Sequence, residues 1–182
     1  MTIRQASRSD LADAAALAAE LWPSHTAAEL EAELAEAPEE ACTCFLALED
    51  AAPMGFAQCS LRRDYVEGTL SSPVGYLEGI YVRPAYRGKG VARSLLAACE
   101  DWARNMGCRE FASDCELENT VSLAFHQKAG FVEANRIVCF VKKLPVPLLA
   151  GDGDITAINN IFWRGQQATA ALQPLRNEEY TP

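Results

Sequence analysis

Residues 87 to 92, Arg87-Gly88-Lys89-Gly90-Val91-Ala92, set two glycines and two cations between an apolar run ending at Val82 and a helical run beginning at Val91. Glycine keeps no side chain between an anion and the backbone, and the first N–H groups of a helix have no partners within it. The segment is therefore built as a phosphate cradle. Two well-known phosphate loops do not fit. A dinucleotide loop opening at Gly88-x-Gly90 wants a third glycine where this chain has Arg93, and Pro84-Ala85-Tyr86 makes its turn long. A nucleoside-triphosphate loop wants Ser or Thr after Gly-Lys, and Lys89 is followed by Gly90. The plain alternative is an exposed basic loop on an ordinary α/β domain. Two carboxylates stand where α/β sheets bind ligands, Glu78 in the strand before the cradle and Asp114 at the end of the next strand. Either can hold an ammonium group or take a proton from an amine; a surface carboxylate or a helix-cap contact is the simpler reading.

The elements that must position these groups follow from periodicity. After Val91, the residues Leu95, Leu96, Cys99, Trp102 and Ala103 recur at three- and four-residue steps, which predicts one buried helical face. Val74–Val82 reads as the strand before the cradle, Gly107 as the end of the helix, and Glu110–Asp114 as the following strand, a parallel crossover. Upstream, Thr2–Ala6 is an expected strand, a helix capped at Ser9 or Asp10 runs to Trp22, and the capping box Thr26-x-x-Glu29 opens a second helix that ends before Pro38. Thr43–Glu49 and Met54–Arg62 are expected to form an antiparallel hairpin, with Arg63–Pro73 a polar loop. Asn119 begins a helix that stops at Gly130, and Phe131–Leu144 is expected to supply the last two strands or one bent pair. After Pro145-Val146-Pro147 the composition shifts, and Ile155, Ile158, Ile161 and Phe162 fall at the spacing of a short amphipathic helix. The expected domains are thus 1–145 and a C-terminal extension, 146–182.

Composition narrows the classes. With 182 residues, 49% of them hydrophobic and 23% charged, one globular domain is expected. Charge interrupts every apolar run before the roughly 20 residues of a membrane span, and no basic-then-apolar signal opens the chain, so a cytoplasmic protein without membrane attachment is expected. Seven cysteines without a C-x-x-C pair, and only His25 and His126 besides, predict buried free thiols and no metal. The net charge of −9 argues against nucleic acid as partner.

The pattern Arg87-x-x-Gly90-x-Ala92 after a strand ending Ile80-Tyr81-Val82-Arg83-Pro84 resembles the acyl-CoA loop of the GCN5-related N-acetyltransferases. The order of elements matches that fold over residues 1 to about 144, and Asn119 followed by His126-x-x-x-Gly130-Phe131 resembles its second signature. The resemblance implies an α/β (α+β) fold with a mixed sheet of about six to seven strands flanked by about four helices. It also implies acetyl-CoA as co-substrate, held by Ile80, Tyr81, Val82, Arg87, Gly88, Lys89, Gly90, Val91, Ala92 and Asn119. His126 stands where the family usually has a Tyr that protonates the departing thiolate. An imidazole titrating at about 6.5 could donate that proton, or the ring could be packed on its helix.

More local likeness narrows the acceptor. Leu21-Trp22-Pro23-x-His25, Arg63-Asp64-Tyr65-Val66, Ser71-Ser72-Pro73-Val74, Leu77-Glu78-Gly79-Ile80 and Cys108-Arg109-Glu110-x-Ala112-Ser113-Asp114 resemble the aminoglycoside 6'-N-acetyltransferases. In that group the positions of Trp22, His25, Tyr65, Glu78 and Asp114 line the drug pocket, and an acidic residue falls where this chain has Asn135. The implied function is transfer of acetyl from acetyl-CoA to a 6'-amino group in a ternary complex, conferring antibiotic resistance, with Glu78, Asp114 and His126 as catalytic candidates. The resembling enzymes are typically homodimers. The alternatives are an acetyltransferase of this fold acting on another polyamine or a protein N-terminus, or a non-catalytic acyl-CoA sensor.

Overall fold

The computed structural model describes residues 1–143. The chain divides into two units, Met1–Cys139 and Phe140–Pro182. The first holds β1 (Thr2–Gln5), α1 (Leu11–Leu21), α2 (Ala27–Glu36), β2 (Cys42–Glu49), β3 (Ala52–Arg62), β4 (Val74–Val82), α3 (Val91–Asn105), β5 (Phe111–Ser113) and α4 (Thr120–Ala129). The five strands form one sheet in chain order. Neighbours are antiparallel except β4 and β5, which run parallel on either side of α3 as the crossover predicts.

Each face of the sheet is covered by helices whose apolar spacing matches it. On one face Val91, Leu95, Leu96 and Cys99 of α3 pack on Phe45, Ala47, Met54, Ala57, Cys59, Leu77 and Val82, with Phe125 and Ala129 of α4 beside them. Leu95 and Leu96 are 0% and 3% exposed, and burial of one such side chain contributes about 1.5–3 kcal/mol. On the other face Ala14, Ala15, Leu17 and Ala18 of α1 and Leu30 of α2 meet Cys44, Leu46 and Phe56. Small residues on α1 let that helix approach closely. The box at α2 forms as expected, with the Glu29 N–H donating to Thr26 Oγ1 at 3.3 Å and the Thr26 N–H donating to Glu29 Oε2 at 2.9 Å.

The expected strands over Phe131–Leu144 are a correction: the sheet has five strands among the described residues, not six or seven, and 131–143 forms no helix or strand. The alternating apolar residues there are exposed, Ile137 by 68% and Phe140 by 93%. Periodicity reports what a segment prefers once it has a partner edge, and no described strand pairs with this one. The expected tail helix near Ile155–Phe162 lies outside the described residues.

The turn into α1 is locked by Asp10, which receives two Arg4 guanidinium bonds at 2.6 and 2.7 Å and two more from Ser7, through its backbone N–H and its hydroxyl. The Arg4 bond, then those from Ser7, hold this carboxyl well below the usual carboxylate range. A lowered folded value stabilises the fold above the unfolded pKa of about 3.9 and loses that contribution as pH falls toward the folded value. Asp10→Asn should therefore lower the thermal midpoint by a constant amount at neutral pH, and the gap should narrow as pH falls below about 4. A gap independent of pH in calorimetry would remove the ionised Asp10 from this role.

Candidate active site

The site begins where β4 stops being regular. Gln58 pairs with Gly79 and Cys59 with Leu77, so Glu78 has no opposite residue and bulges from the ladder. At the same level β4 loses its other neighbour, because its pairing with β5 ends at Leu77 and Ser113. Among the described residues one edge of β4 is therefore unpaired from Glu78 to Val82, and its backbone groups there could pair with an extended ligand. The two strands part beyond Leu77 and Ser113, next to Glu78 on one and Asp114 on the other.

Glu78 lies over the α1 side of the sheet, half-buried. Its Oε1 accepts the Ser60 hydroxyl at 2.5 Å, and Arg62 grips both carboxylate oxygens with the Nε and Nη2 edge of its guanidinium, the shortest contact being 2.9 Å from Nη2 to Oε2. The same guanidinium lies 3.3 Å from the ring centre of Tyr76, whose hydroxyl donates to Asp114 Oδ1 at 2.6 Å. Glu78 and Asp114 are thus linked through Arg62 and Tyr76, which stack between them. Burial, then the Asp114 bond, pushes the Tyr76 phenol up, so it remains a donor at neutral pH. Asp114 itself is exposed. The sequence reading missed Arg62, Ser60 and Tyr76; the two-residue steps Ser60–Arg62 and Tyr76–Glu78 on paired strands were the available signal.

At the far end of β4 the cradle takes the expected form. Gly88 and Gly90 have φ of +76° and +82°, a region closed to most side chains, and a Cβ on either would meet nothing within 4 Å. Both glycines face open space at the N-terminus of α3, which Gly90 caps. Val91 is buried and Ala92 half-buried, so the helix start is fixed to the core while its N–H groups point outward. Arg87 is tied back to the strand by its Nε–H, which donates to the Val82 carbonyl at 2.9 Å, and Lys89 stands exposed beside Tyr86. Ile80 packs toward the α3 side, while Tyr81 turns to the α1 side and donates to Glu20 at 3.0 Å.

Two connections flank the carboxylate face of the sheet. Trp22, at the end of α1, packs edge-on against Phe56 and so close to Gly79 that a Cβ there would lie 2.6 Å from the indole. His25 is half-buried, its Nδ1 3.0 Å from Ser24 Oγ. The loop 63–73 folds back over the sheet, since Val66 is buried against Val74, Tyr76 and Ala112. Tyr65 is 80% exposed, and its hydroxyl donates to Glu67 at 2.6 Å. Asn135 reaches the same carboxylate. The loop hangs from Glu110, which accepts the N–H groups of Leu70 and Ser71 at 2.9 and 2.6 Å and the Ser71 hydroxyl.

On α4, Asn119 Oδ1 caps the helix by accepting the Ser122 N–H at 3.0 Å. His126 is half-buried between the rings of Phe125 and Phe131, with centroids 5.5 and 5.0 Å away. Its Nδ1 donates to the Ser122 carbonyl at 2.8 Å, and its Nε2 is buried without a partner. All seven cysteines are free thiols. Burial pushes Cys42, Cys44 and Cys108 up, and the bond with Cys99, then burial, does the same to Cys59, so none of these four is a ready thiolate nucleophile.

Residues 9–131 match the Acetyltransferase (GNAT) family, and the chain belongs to it. Within that family it is 44% identical over 147 residues to an aminoglycoside N(6')-acetyltransferase type 1 of Salmonella typhimurium (strain LT2), covering 79% of this chain and 99% of that protein. It is 47% identical over 141 residues to a protein of the same name from Stenotrophomonas maltophilia, covering 76% and 91%. The structure of AAC(6')-Iy in complex with the bisubstrate analog CoA-S-monomethyl-acetylneamine superposes with a TM-score of 0.73 at 41% identity, over 79% of this chain and 98% of that one. The apo AAC(6')-IG structure from Acinetobacter haemolyticus gives 0.74 at 41%, over 80% and 100%.

Glu110→Ala should release the loop. The Ser71 hydroxyl bond, then the two backbone bonds, hold the Glu110 carboxyl low, so it is ionised and a strong acceptor at neutral pH. Amide exchange at Leu70 and Ser71 should quicken by on the order of tenfold in the variant. Unchanged protection of these two amides would mean that Val66 alone anchors the loop.

Proposed function

We propose that the chain transfers the acetyl group of acetyl-CoA to the 6'-amino group of an aminoglycoside, with both substrates bound at once. The observation that carries this is β4 itself: its unpaired edge from Glu78 to Val82 runs from the carboxylate face to the phosphate cradle. One extended ligand with a phosphate at one end and a thioester at the other fits that run. Gly88, Gly90 and the α3 N-terminus would take the pyrophosphate, Arg87 and Lys89 would add charge, and Ile80, Tyr81, Val82 and Asn119 would hold the arm. The named relatives act on aminoglycosides, polyamines that arrive as cations, which suits an acidic cleft.

An ammonium must lose a proton before it can attack. We assign that proton to Asp114, directly or through water, because it is exposed and has one oxygen set by the Tyr76 hydroxyl. Glu78, already gripped by Arg62 and Ser60, orients the amine and completes the charge of the face. Trp22, His25, Tyr65 and Asn135 line the acceptor side. For His126 the ring packed between Phe125 and Phe131, with Nδ1 spent on the Ser122 carbonyl, favours a supporting role. No helix among the described residues is long and apolar enough to cross a membrane. We place the enzyme in the cytoplasm, where acetyl-CoA and aminoglycoside targets meet, as a homodimer whose activity confers resistance.

Purified protein should consume acetyl-CoA with kanamycin and yield drug acetylated on the 6' nitrogen by NMR. Turnover only with another polyamine or a peptide N-terminus, or none with any amine, would overturn the assignment. Gly90→Glu puts a carboxylate into the cradle, where its side chain is strained by the positive φ and has the wrong charge. It should weaken acetyl-CoA binding in calorimetry by at least about a hundredfold. Wild-type affinity would place the pyrophosphate elsewhere.

A further inference from the structure

Glu67 belongs to no motif singled out in the sequence, and the structure sets it between two residues of the acceptor side. Its Oε2 accepts the Tyr65 hydroxyl at 2.6 Å and its Oε1 accepts the Asn135 Nδ2–H at 3.1 Å, although 68 residues separate Glu67 from Asn135. The backbone around it is fixed on both sides. Val66 is 7% exposed in the cluster with Val74, Tyr76 and Ala112, which puts its neighbours over the sheet face that carries Tyr76 and Asp114. Gly68, with φ of +77°, has Ala134 pressed where its Cβ would be, so the loop and the chain before Asn135 are in close contact.

We propose that Glu67 is a specificity-determining residue of the acceptor site, a third carboxylate that holds a second ammonium group of a polyamine acceptor; this rests on the acetyl-transfer reading above. Both of its hydrogen-bond donors are neutral, so its charge is oriented without being cancelled. Glu78 differs, since Arg62 already neutralises it. Each Glu67 oxygen accepts one bond and keeps capacity for another, which an ammonium can fill by a charge-assisted bond. The Tyr65 bond, then that of Asn135, holds the Glu67 carboxyl low and keeps it ionised at neutral pH. The negative charge missing at position 135 is thus present one hydrogen bond away, on the other segment. An acceptor with two ammonium groups can pair with Asp114 and Glu67 at once, so the residue selects for polyamines.

The test is steady-state kinetics of the full chain with acetyl-CoA and kanamycin, at low and high salt. Glu67→Gln should raise the KM for kanamycin about tenfold at low salt, less at high salt, with kcat and the KM for acetyl-CoA little changed. Combining Glu67→Gln with Asn135→Glu, which returns the charge from the other segment, should recover most of the loss. The proposal is overturned if Glu67→Gln keeps the wild-type KM for kanamycin, if the KM for acetyl-CoA rises equally, or if the returned charge recovers nothing. Wild-type protein that acetylates no aminoglycoside would be seen before any variant is compared; it would overturn the parent reading, and this assignment would fall with it.

Discussion

The interruption of β4 at Glu78 is the constraint on which the site depends. Two events coincide there: the bulge against β3 and the end of pairing with β5. Either alone would do less. A bulge inside a fully paired strand would turn Glu78 but leave no edge for a ligand, and an unpaired edge without the bulge would keep strict alternation of side chains. Together they set Glu78 beside Gly79, on which Trp22 packs, and leave the next residues free to run to the cradle. The cores on both faces hold this frame, with α3 fixing Leu77 and Val82 on one side and α1 fixing Phe56 on the other.

Electrostatically, the site is a set of carboxylates with different partners. Glu78 is matched by a guanidinium, Asp114 and Glu67 by neutral donors, and Glu110 by the backbone and hydroxyl of the loop it suspends. Only charges left uncompensated attract a cationic ligand, so the net charge of −9 matters less than where these four carboxylates stand. Opposite them the cradle offers Arg87, Lys89 and a helix N-terminus to a phosphate. In the function proposed above, the two ends of β4 take ligands of opposite charge.

What was legible in the sequence was local. The cradle and α3 could be read because a loop, its glycines and the helix it starts are contiguous, and the five periodic apolar residues of α3 pointed to one face. The box at Thr26 and the parallel crossover followed from the same kind of signal. The partners of the carboxylates left only two-residue steps along two strands, without the pairing that brings them together. Arg62 reaches Glu78 through a register that the bulge shifts by one residue, and nothing in either strand announces that shift. Glu67 meets Asn135 through two loops whose approach depends on Gly68 and Ala134. The segment after Phe131 was misread for the opposite reason: its alternation is a strand's, but a strand also requires a partner edge, which periodicity cannot report. The family was legible early because its signatures sit in the contiguous parts.

The central claim is that one strand brings both substrates together, so that the acetyl group passes directly from thioester to amine. Initial velocities measured over a grid of acetyl-CoA and kanamycin concentrations test it most directly. Double-reciprocal lines that intersect, with no acetyl group found on the protein when acetyl-CoA is supplied alone, are the predicted result. Parallel lines, together with an acetylated protein by mass spectrometry, would contradict it.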